Sequence, residues 1–387
     1  MLRTVLASLV AVSAAALSPA AAQAHSAPVE HRALHFPALR VTRLVTGLDH
    51  PWDVRPIGDG RLLFTQRDRA TVSLWDGSRV REIDGFPTGS VWVSGETGLM
   101  GLETAPDFAQ TRRFYTCQGG TTAHGHDVEI MSWTLTKDLT TIASSKKLLG
   151  GLPATSGRHG GCRILAYKDD LFVGTGDAAT GTNPENKKSL GGKVLRLVAA
   201  TGKPYPGNPF HTAGNRHKRY VWTYGHRNVQ GLTFRRDGSG GVWSIEQGTY
   251  RDDEVNVQMR GADYGYNPVP GYNESVPMTD HSLPGRQVGA VWRSGDPTLA
   301  TSGGDFVYGK RWGAYDGTLA VAALKGERVL FLRLQPTSDL AGVHTPPALR
   351  KYGRIRTVVD GPGSVFYVTT DNGNGGDAIL AVRPAAH

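Results

Sequence analysis

Short apolar or alternating runs separated by polar turns recur along the whole chain. In each copy a turn bearing Asp, Arg, Ser or Gly leads into a strand-like run. The copies are Asp59-Gly60-Arg61-Leu62-Leu63-Phe64-Thr65, Arg113-Phe114-Tyr115-Thr116, Asp170-Leu171-Phe172-Val173-Gly174, Gly241-Val242-Trp243-Ser244-Ile245, Asp316-Gly317-Thr318-Leu319-Ala320-Val321 and Ser364-Val365-Phe366-Tyr367-Val368. They stand about 50 to 75 residues apart, a spacing typical of propeller blades with several strands each. Further runs at 71–75, 129–135, 193–198, 254–259 and 328–334 supply strands that pair with them. The pattern predicts an all-β chain, a six-bladed β-propeller of four-stranded antiparallel blades. Long amphipathic helical stretches are missing, which excludes a TIM barrel and a doubly wound sheet. Trp52-Asp53 and Trp75-Asp76 follow no blade period, so they are not WD40 marks. Loops on one face of a propeller converge on its central channel, so a site is expected to draw residues from several blades.

Composition sharpens this picture. The 50 Gly and 22 Pro among 387 residues suit strands joined by turns, and the spread of 8 Trp, 13 Tyr and 11 Phe excludes disorder. Arg3, the apolar run 5–17 and Ala22-Gln23-Ala24 predict a secretory signal peptide over 1–24. A linker over 25–39 and one propeller over 40–387 follow. No run is long enough for a transmembrane segment, so the expectation is an exported protein, secreted or periplasmic. Cys117 and Cys162 then meet an oxidising compartment. A bridge between them closes about 45 residues, worth roughly 4 kcal/mol on the loop-entropy account; two separate buried thiols are the alternative. The formal charge of +9 has one dense cluster, Arg216-His217-Lys218-Arg219, which reads as a solvated loop, and no nucleic-acid partner is expected.

Three motifs mislead. Gly174-Thr175-Gly176-Asp177-Ala178-Ala179 matches a dinucleotide fingerprint, but Pro184 breaks the helix that fingerprint needs. The segment from Asp371 to Asp377 resembles a calcium loop, yet Val382 stands where the bidentate Glu belongs, and a turn between strands accounts for it. His124-Gly125-His126 lacks a third ligand and reads as a solvated loop. No G-x-S-x-G elbow occurs.

Four segments carry chemistry. Gly157-Arg158-His159-Gly160-Gly161 sets a histidine among glycines before a strand that ends at Gly176-Asp177, so Asp177 is placed to orient His159 as a general base. Tyr224-Gly225-His226-Arg227-Asn228-Val229-Gln230-Gly231-Leu232 packs polar and ionisable side chains just before a strand, as a loop for a polar anionic ligand does. Glu246-Gln247-Gly248-Thr249-Tyr250-Arg251-Asp252-Asp253-Glu254 ends on three consecutive carboxylates, which repel one another unless a cation such as calcium sits among them. Leu324-Lys325-Gly326 and Gly353-Arg354-Ile355-Arg356 form the fourth: alternation puts Arg354 and Arg356 on one side, a receptor for carboxylates together with Lys325.

With Gly47-Leu48-Asp49-His50-Pro51-Trp52, Gly98-Leu99-Met100-Gly101-Leu102 and Gly191-Gly192-Lys193-Val194-Leu195-Arg196, these segments resemble the soluble quinoprotein glucose dehydrogenase and aldose sugar dehydrogenase family. The resemblance spans nearly the whole mature chain. It implies an oxidoreductase that uses pyrroloquinoline quinone (PQQ) and Ca2+ to oxidise an aldose sugar to its lactone and pass electrons to an acceptor. His159 resembles the base, and Arg227 the group that stabilises charge on the quinone. Glu96, Asn228, Lys325, Arg354 and Arg356 match cofactor contacts, the quinone carrying three carboxylates. The carbonyls of Gly248 and Thr249 match ligands of the cofactor's calcium, while Asp253, Glu254 and the Tyr264 carbonyl match a second calcium site. Departures exist. Glu96 stands where the family commonly has Gln, which puts a carboxylate near the quinone's acids unless it is protonated or paired. Thr249 replaces a usual Pro. Cys162 replaces a common Gly, so a bridge to Cys117 would lock the His159 loop. The alternative reading is a non-catalytic sugar- or protein-binding propeller. For a calcium-dependent propeller lactonase, the sequence shows no obvious cluster of Asn, Asp and Glu from separate blades around one metal.

Overall fold

The computed structural model describes residues 34–238 and 240–385, together with Leu2. The expected signal peptide and most of the linker lie outside the described residues.

Six four-stranded antiparallel sheets follow one another along the chain. The first blade is Pro51–Pro56, Leu62–Gln66, Thr71–Trp75 and Val80–Glu82. Blades two to five occupy 99–152, 161–224, 229–293 and 301–344. The sixth combines Ile355–Gly361, Val365–Thr370 and Asp377–Pro384 with the first strand of the chain, Leu39–Leu48. That strand pairs Leu39 with Pro384 and Leu48 with Asp377, so the two ends of the propeller share a sheet and close the ring. The innermost strands neighbour one another around the axis.

Burial explains why the repeat is visible. Leu62–Gln66 is buried along its whole length, because neighbouring blades cover both faces of the sheet, whereas the outermost Val80–Glu82 is exposed throughout. Apolar residues of adjacent blades interleave: Phe114 and Trp133 of the second blade pack with Leu63, Val72 and Leu74 of the first. Every repeated run proves to be part of the second strand of a blade. The expected strand at 254–259 stops at Val257, and that at 129–135 starts earlier, at Gly125. His126 is therefore in a strand and not a solvated loop, stacked on Trp92 with ring centroids 4.4 Å apart. The segment from Asp371 to Asp377 joins two strands, as expected.

Buried charge ties the inner strands together. Asp53 accepts from Arg55 Nη1 at 2.8 Å, Arg163 Nη1 at 2.6 Å and the Leu102 amide at 3.0 Å. Arg163 donates through Nε to the Gln230 carbonyl at 2.9 Å and lies over the Trp52 ring. Four blades thus meet at one guanidinium and one carboxylate. Cys117 and Cys162, both fully buried, form a disulfide that joins the second and third blades. The Cys162 carbonyl passes so close to Gly101 that a Cβ there would lie 2.3 Å from it.

Candidate active site

His159 stands in the loop that enters the first strand of the third blade, Gly161–Tyr167. Its φ of 53° is in the left-handed region, between Gly157 and Gly161 at 85° and 70°. Such a turn is tolerated because those neighbours carry no Cβ. The backbone is also held from outside, since the His159 amide donates to Glu96 Oε2 at 3.1 Å. The ring is 3% exposed. Nδ1 lies 2.8 Å from Asp177 Oδ1 and 3.0 Å from the Tyr272 hydroxyl, which donates to Asp177 Oδ2 at 2.7 Å. The Asp177 carboxylate only accepts, so Nδ1 carries the proton of the neutral ring and Nε2 presents a lone pair. No protein group bonds Nε2 among the described residues.

Asp177 is fixed by the neighbouring blade, its amide donating to the Arg227 carbonyl at 2.8 Å. Arg227 and Asn228 end the loop before Val229–Phe234. Asn228 uses its whole amide: Nδ2 donates to Glu96 Oε2 at 3.3 Å and Gln247 Oε1 at 3.1 Å, and Oδ1 accepts from the Gly161 amide at 3.1 Å. Arg227, 5% exposed, donates to Glu274 Oε1 at 2.6 Å and the Gln247 carbonyl at 3.3 Å, while its buried Nε has no partner. Burial opposes its charge, but Tyr272, Tyr266, Glu274 and Asp177 outweigh this and raise its pKa. Burial likewise works against the Glu274 carboxylate, and Arg158 and Arg227 pull its pKa down.

Beside this cluster opens a cleft of about 320 Å³, with Glu96, Gln247, Leu324, Arg354, Arg356 and Asp371 in its wall. Arg356 is buried and donates to Asp371 at 2.7 Å and Gln230 at 3.1 Å, leaving Nε without a partner. Arg354 reaches the Asp371 carbonyl at 3.1 Å. Lys325, which follows Leu324, is exposed. The structure therefore joins His159, Asp177, Glu96, Arg227 and Asn228 by direct hydrogen bonds, and sets Arg354 and Arg356 in the cleft that Glu96 also lines.

The acidic run needs a different account. Its three carboxylates have separate protein partners: Asp252 pairs with Arg251 at 3.4 Å, Glu254 with Arg293 at 3.1 Å, and Asp253 accepts from Thr298 Oγ1 at 2.8 Å and the Leu299 amide at 2.6 Å. Extended backbone sends neighbouring side chains to opposite faces, which separates them. Asp253 also accepts from the Gly248 amide at 3.1 Å, so it shapes the loop and has little capacity left for a cation. Glu254 differs. Burial, then the nearby Glu246, push its carboxyl up to about 7. Among the described residues no backbone amide takes the carbonyls of Gly248, Thr249 or Tyr264, and no three His, Cys, Asp or Glu side chains converge as a metal group.

Five residues of the site receive no role from the sequence: His50, Gln247, Tyr272, Glu274 and Asp371. Asp371 sits in a segment that reads as a turn, and Tyr272 and Glu274 lie in a long insertion between Val257 and Trp292 that has no periodicity.

Comparison with known proteins supplies the family. The profile of the family described as Glucose / Sorbosone dehydrogenase matches residues 48–380. The chain is 26% identical over 349 residues to the aldose sugar dehydrogenase YliI of Escherichia coli, covering 87% of this chain and 91% of that protein. It is 25% identical to quinoprotein glucose dehydrogenase B of Acinetobacter calcoaceticus, over 72% of this chain and 74% of that one. The solved PQQ-bound form of aldose sugar dehydrogenase from Streptomyces coelicolor superposes with a TM-score of 0.73 at 28% identity, covering 90% of this chain and 99% of that one. The chain belongs to the glucose/sorbosone dehydrogenase family, the soluble quinoprotein glucose and aldose sugar dehydrogenases.

Proposed function

We propose that this protein oxidises aldose sugars at the anomeric carbon to lactones, with PQQ and calcium bound beside His159. One observation carries the reading: His159 has Nδ1 locked by Asp177 and Nε2 unpartnered, next to an arginine-lined cleft. The residues present fit the cofactor. Buried Arg227 and Arg356 each keep an unpartnered Nε, a donor that suits an anion-rich ligand. Arg354, Arg356 and Lys325 would hold its carboxylates, and Asn228 would fix the wall behind it. The unclaimed carbonyls of Gly248 and Thr249 suit a hard cation beside it. Glu254 with the Tyr264 carbonyl suits a second one, whereas Asp253 does not. When bound, the quinone supplies a two-electron acceptor for hydride, and calcium polarises it.

The chain's own residues do the rest. His159 Nε2 accepts the proton of the anomeric hydroxyl, a contribution of about 10²–10⁴ in rate. Asp177 holds the tautomer and stabilises the imidazolium that forms. Arg227, 5% exposed, presents a fixed positive charge that solvent screens little, where such charge acts strongly. Glu96 accepts from the His159 amide and Asn228, bonds that a Gln oxygen could also take, so its charge is what departs from the family's Gln. The buried disulfide supports export to an oxidising compartment after cleavage of 1–24.

Reconstitution tests the proposal. Apoprotein given calcium and PQQ is expected to reduce an artificial dye with glucose or another aldose, and to need both additions. Cofactor binding without oxidation of any sugar across an aldose panel would leave a binding propeller instead.

A further inference from the structure

Tyr272 reaches the base from the insertion in the fourth blade, and several contacts hold it there. The Arg158 guanidinium lies over its ring, 5.5 Å from the centroid. Two residues on, Glu274 pairs with both Arg158 at 2.8 Å and Arg227 at 2.6 Å. Before it, Gly271 abuts the third-blade loop so closely that a Cβ on Gly181 would sit 2.1 Å from the Gly271 carbonyl. The hydroxyl is thus fixed between Asp177 and His159, not resting there by chance.

A phenol has one proton to give. Asp177 Oδ2, at 2.7 Å, is the charged acceptor, so the proton points there and only the oxygen faces His159 Nδ1. Burial, then the Asp177 charge, raise the Tyr272 pKa well above that of a free phenol, so it remains a donor throughout the working range. Asp177 therefore accepts from His159 Nδ1, from Tyr272 and from the Ala179 amide at 2.8 Å. Each added donor draws on the negative charge that would otherwise stabilise a protonated imidazole.

We propose that Tyr272 is a positioning residue that lowers the basicity of His159 by sharing the Asp177 carboxylate with its ring. The groups around the ring are Asp177 from the third blade, Tyr272 and Glu274 from the fourth-blade insertion, Arg158 beside it in the chain, Arg227, and Glu96, which takes its amide. Of these, Tyr272 and the Ala179 amide share the Asp177 carboxylate with the imidazole. The inference rests on His159 serving as the base.

Tyr272→Phe removes the hydroxyl and keeps the ring. In apoprotein labelled at histidine, the His159 resonance, identified by its loss in His159→Gln, is followed by NMR through a pH titration. The midpoint is expected to rise by about 0.5–1 unit in Tyr272→Phe. In an Asp177→Asn background the same change should move it by less than about 0.2 unit, because the carboxylate charge is gone. With cofactor, the acid limb of kcat/KM should move to higher pH by the same amount as the NMR midpoint. A midpoint that stays or falls in Tyr272→Phe, or a rise that persists in Asp177→Asn, overturns the inference. A rise in the apoprotein together with no oxidation of any aldose upholds the tuning of His159 and overturns the proposed function instead.

Discussion

Glu96 and Asn228, 132 positions apart in the sequence, meet at 3.3 Å at the wall of the cleft, where Glu96 Oε2 also takes the His159 amide. One oxygen therefore ties the second, third and fourth blades together behind the base, and its carboxylate faces a cleft that Arg354 and Arg356 also line. Glu96→Gln keeps an oxygen for both donors and removes the charge. The expected outcome is an unchanged melting temperature and a PQQ affinity raised by about fivefold, equivalent to about 1 kcal/mol. Fluorescence titration of apoprotein with PQQ in calcium reads this. Equal or weaker binding would show that the carboxylate does not oppose the cofactor.

The Cys117–Cys162 bridge links the second blade to the strand that His159 precedes. Converting both cysteines to Ala should cost about 4 kcal/mol of stability on the loop-entropy account, with a lesser loss of activity as the His159 loop loosens. Urea unfolding with and without reductant measures the first. An unaltered midpoint and unaltered turnover would remove any structural role for the bridge.

Lys193 is wholly buried and donates Nζ to the carbonyls of Asn183 at 2.6 Å, Pro184 at 2.8 Å and Gly191 at 2.6 Å. It thereby folds the loop that begins with Asp177. Lys193→Met leaves those carbonyls without donors, and a loss of roughly 3 kcal/mol is expected. A fall of less than about 1 kcal/mol in the denaturant series would mean that water replaces the ammonium.

His50 and Asp371 make a pH-dependent contact across the closing blade, with Nδ1 2.8 Å from Oδ1. The hydrogen bond to Asp371 raises the His50 pKa, burial opposing it. A histidine raised on folding adds stability that is complete below its unfolded value, about 6.5, and fades as pH climbs through the folded value. Asp371 runs the other way: burial raises it, but Arg356, His50 and Arg67 pull it far below the carboxylate range. Its contribution is present above about pH 4 and is lost as acid protonates it. Urea midpoints of the wild type and His50→Gln should differ at pH 5.5 and converge by pH 8.5. A gap that does not depend on pH would contradict the contact's ionic character.

The sequence made the blades legible for a physical reason. Second strands such as Leu62–Gln66 and Asp170–Thr175 are covered on both faces and carry the apolar runs Leu62-Leu63-Phe64 and Leu171-Phe172-Val173. The closing strand Leu39–Leu48 is largely exposed, gives no such signal, and is paired only because the ring closes. His159 and Asp177 were within reach because they flank one hairpin, Gly161–Tyr167 and Asp170–Thr175. Tyr272 and Glu274 were not, since an irregular insertion returns to the site through space. How the acids at 252–254 divide among their partners was not legible either, because charge along the chain says nothing of the faces to which its side chains are sent.

The most direct measurement of the central claim is the reductive half-reaction in a stopped-flow instrument. Protein loaded with PQQ and calcium is mixed with aldose, and the cofactor's absorbance is followed in the wild type and in His159→Gln. Rapid reduction is expected in the wild type, and in the variant the same cofactor affinity with reduction slowed by about 10² or more. Reduction at equal rates in both, or failure of the wild type to bind PQQ at all, would contradict it.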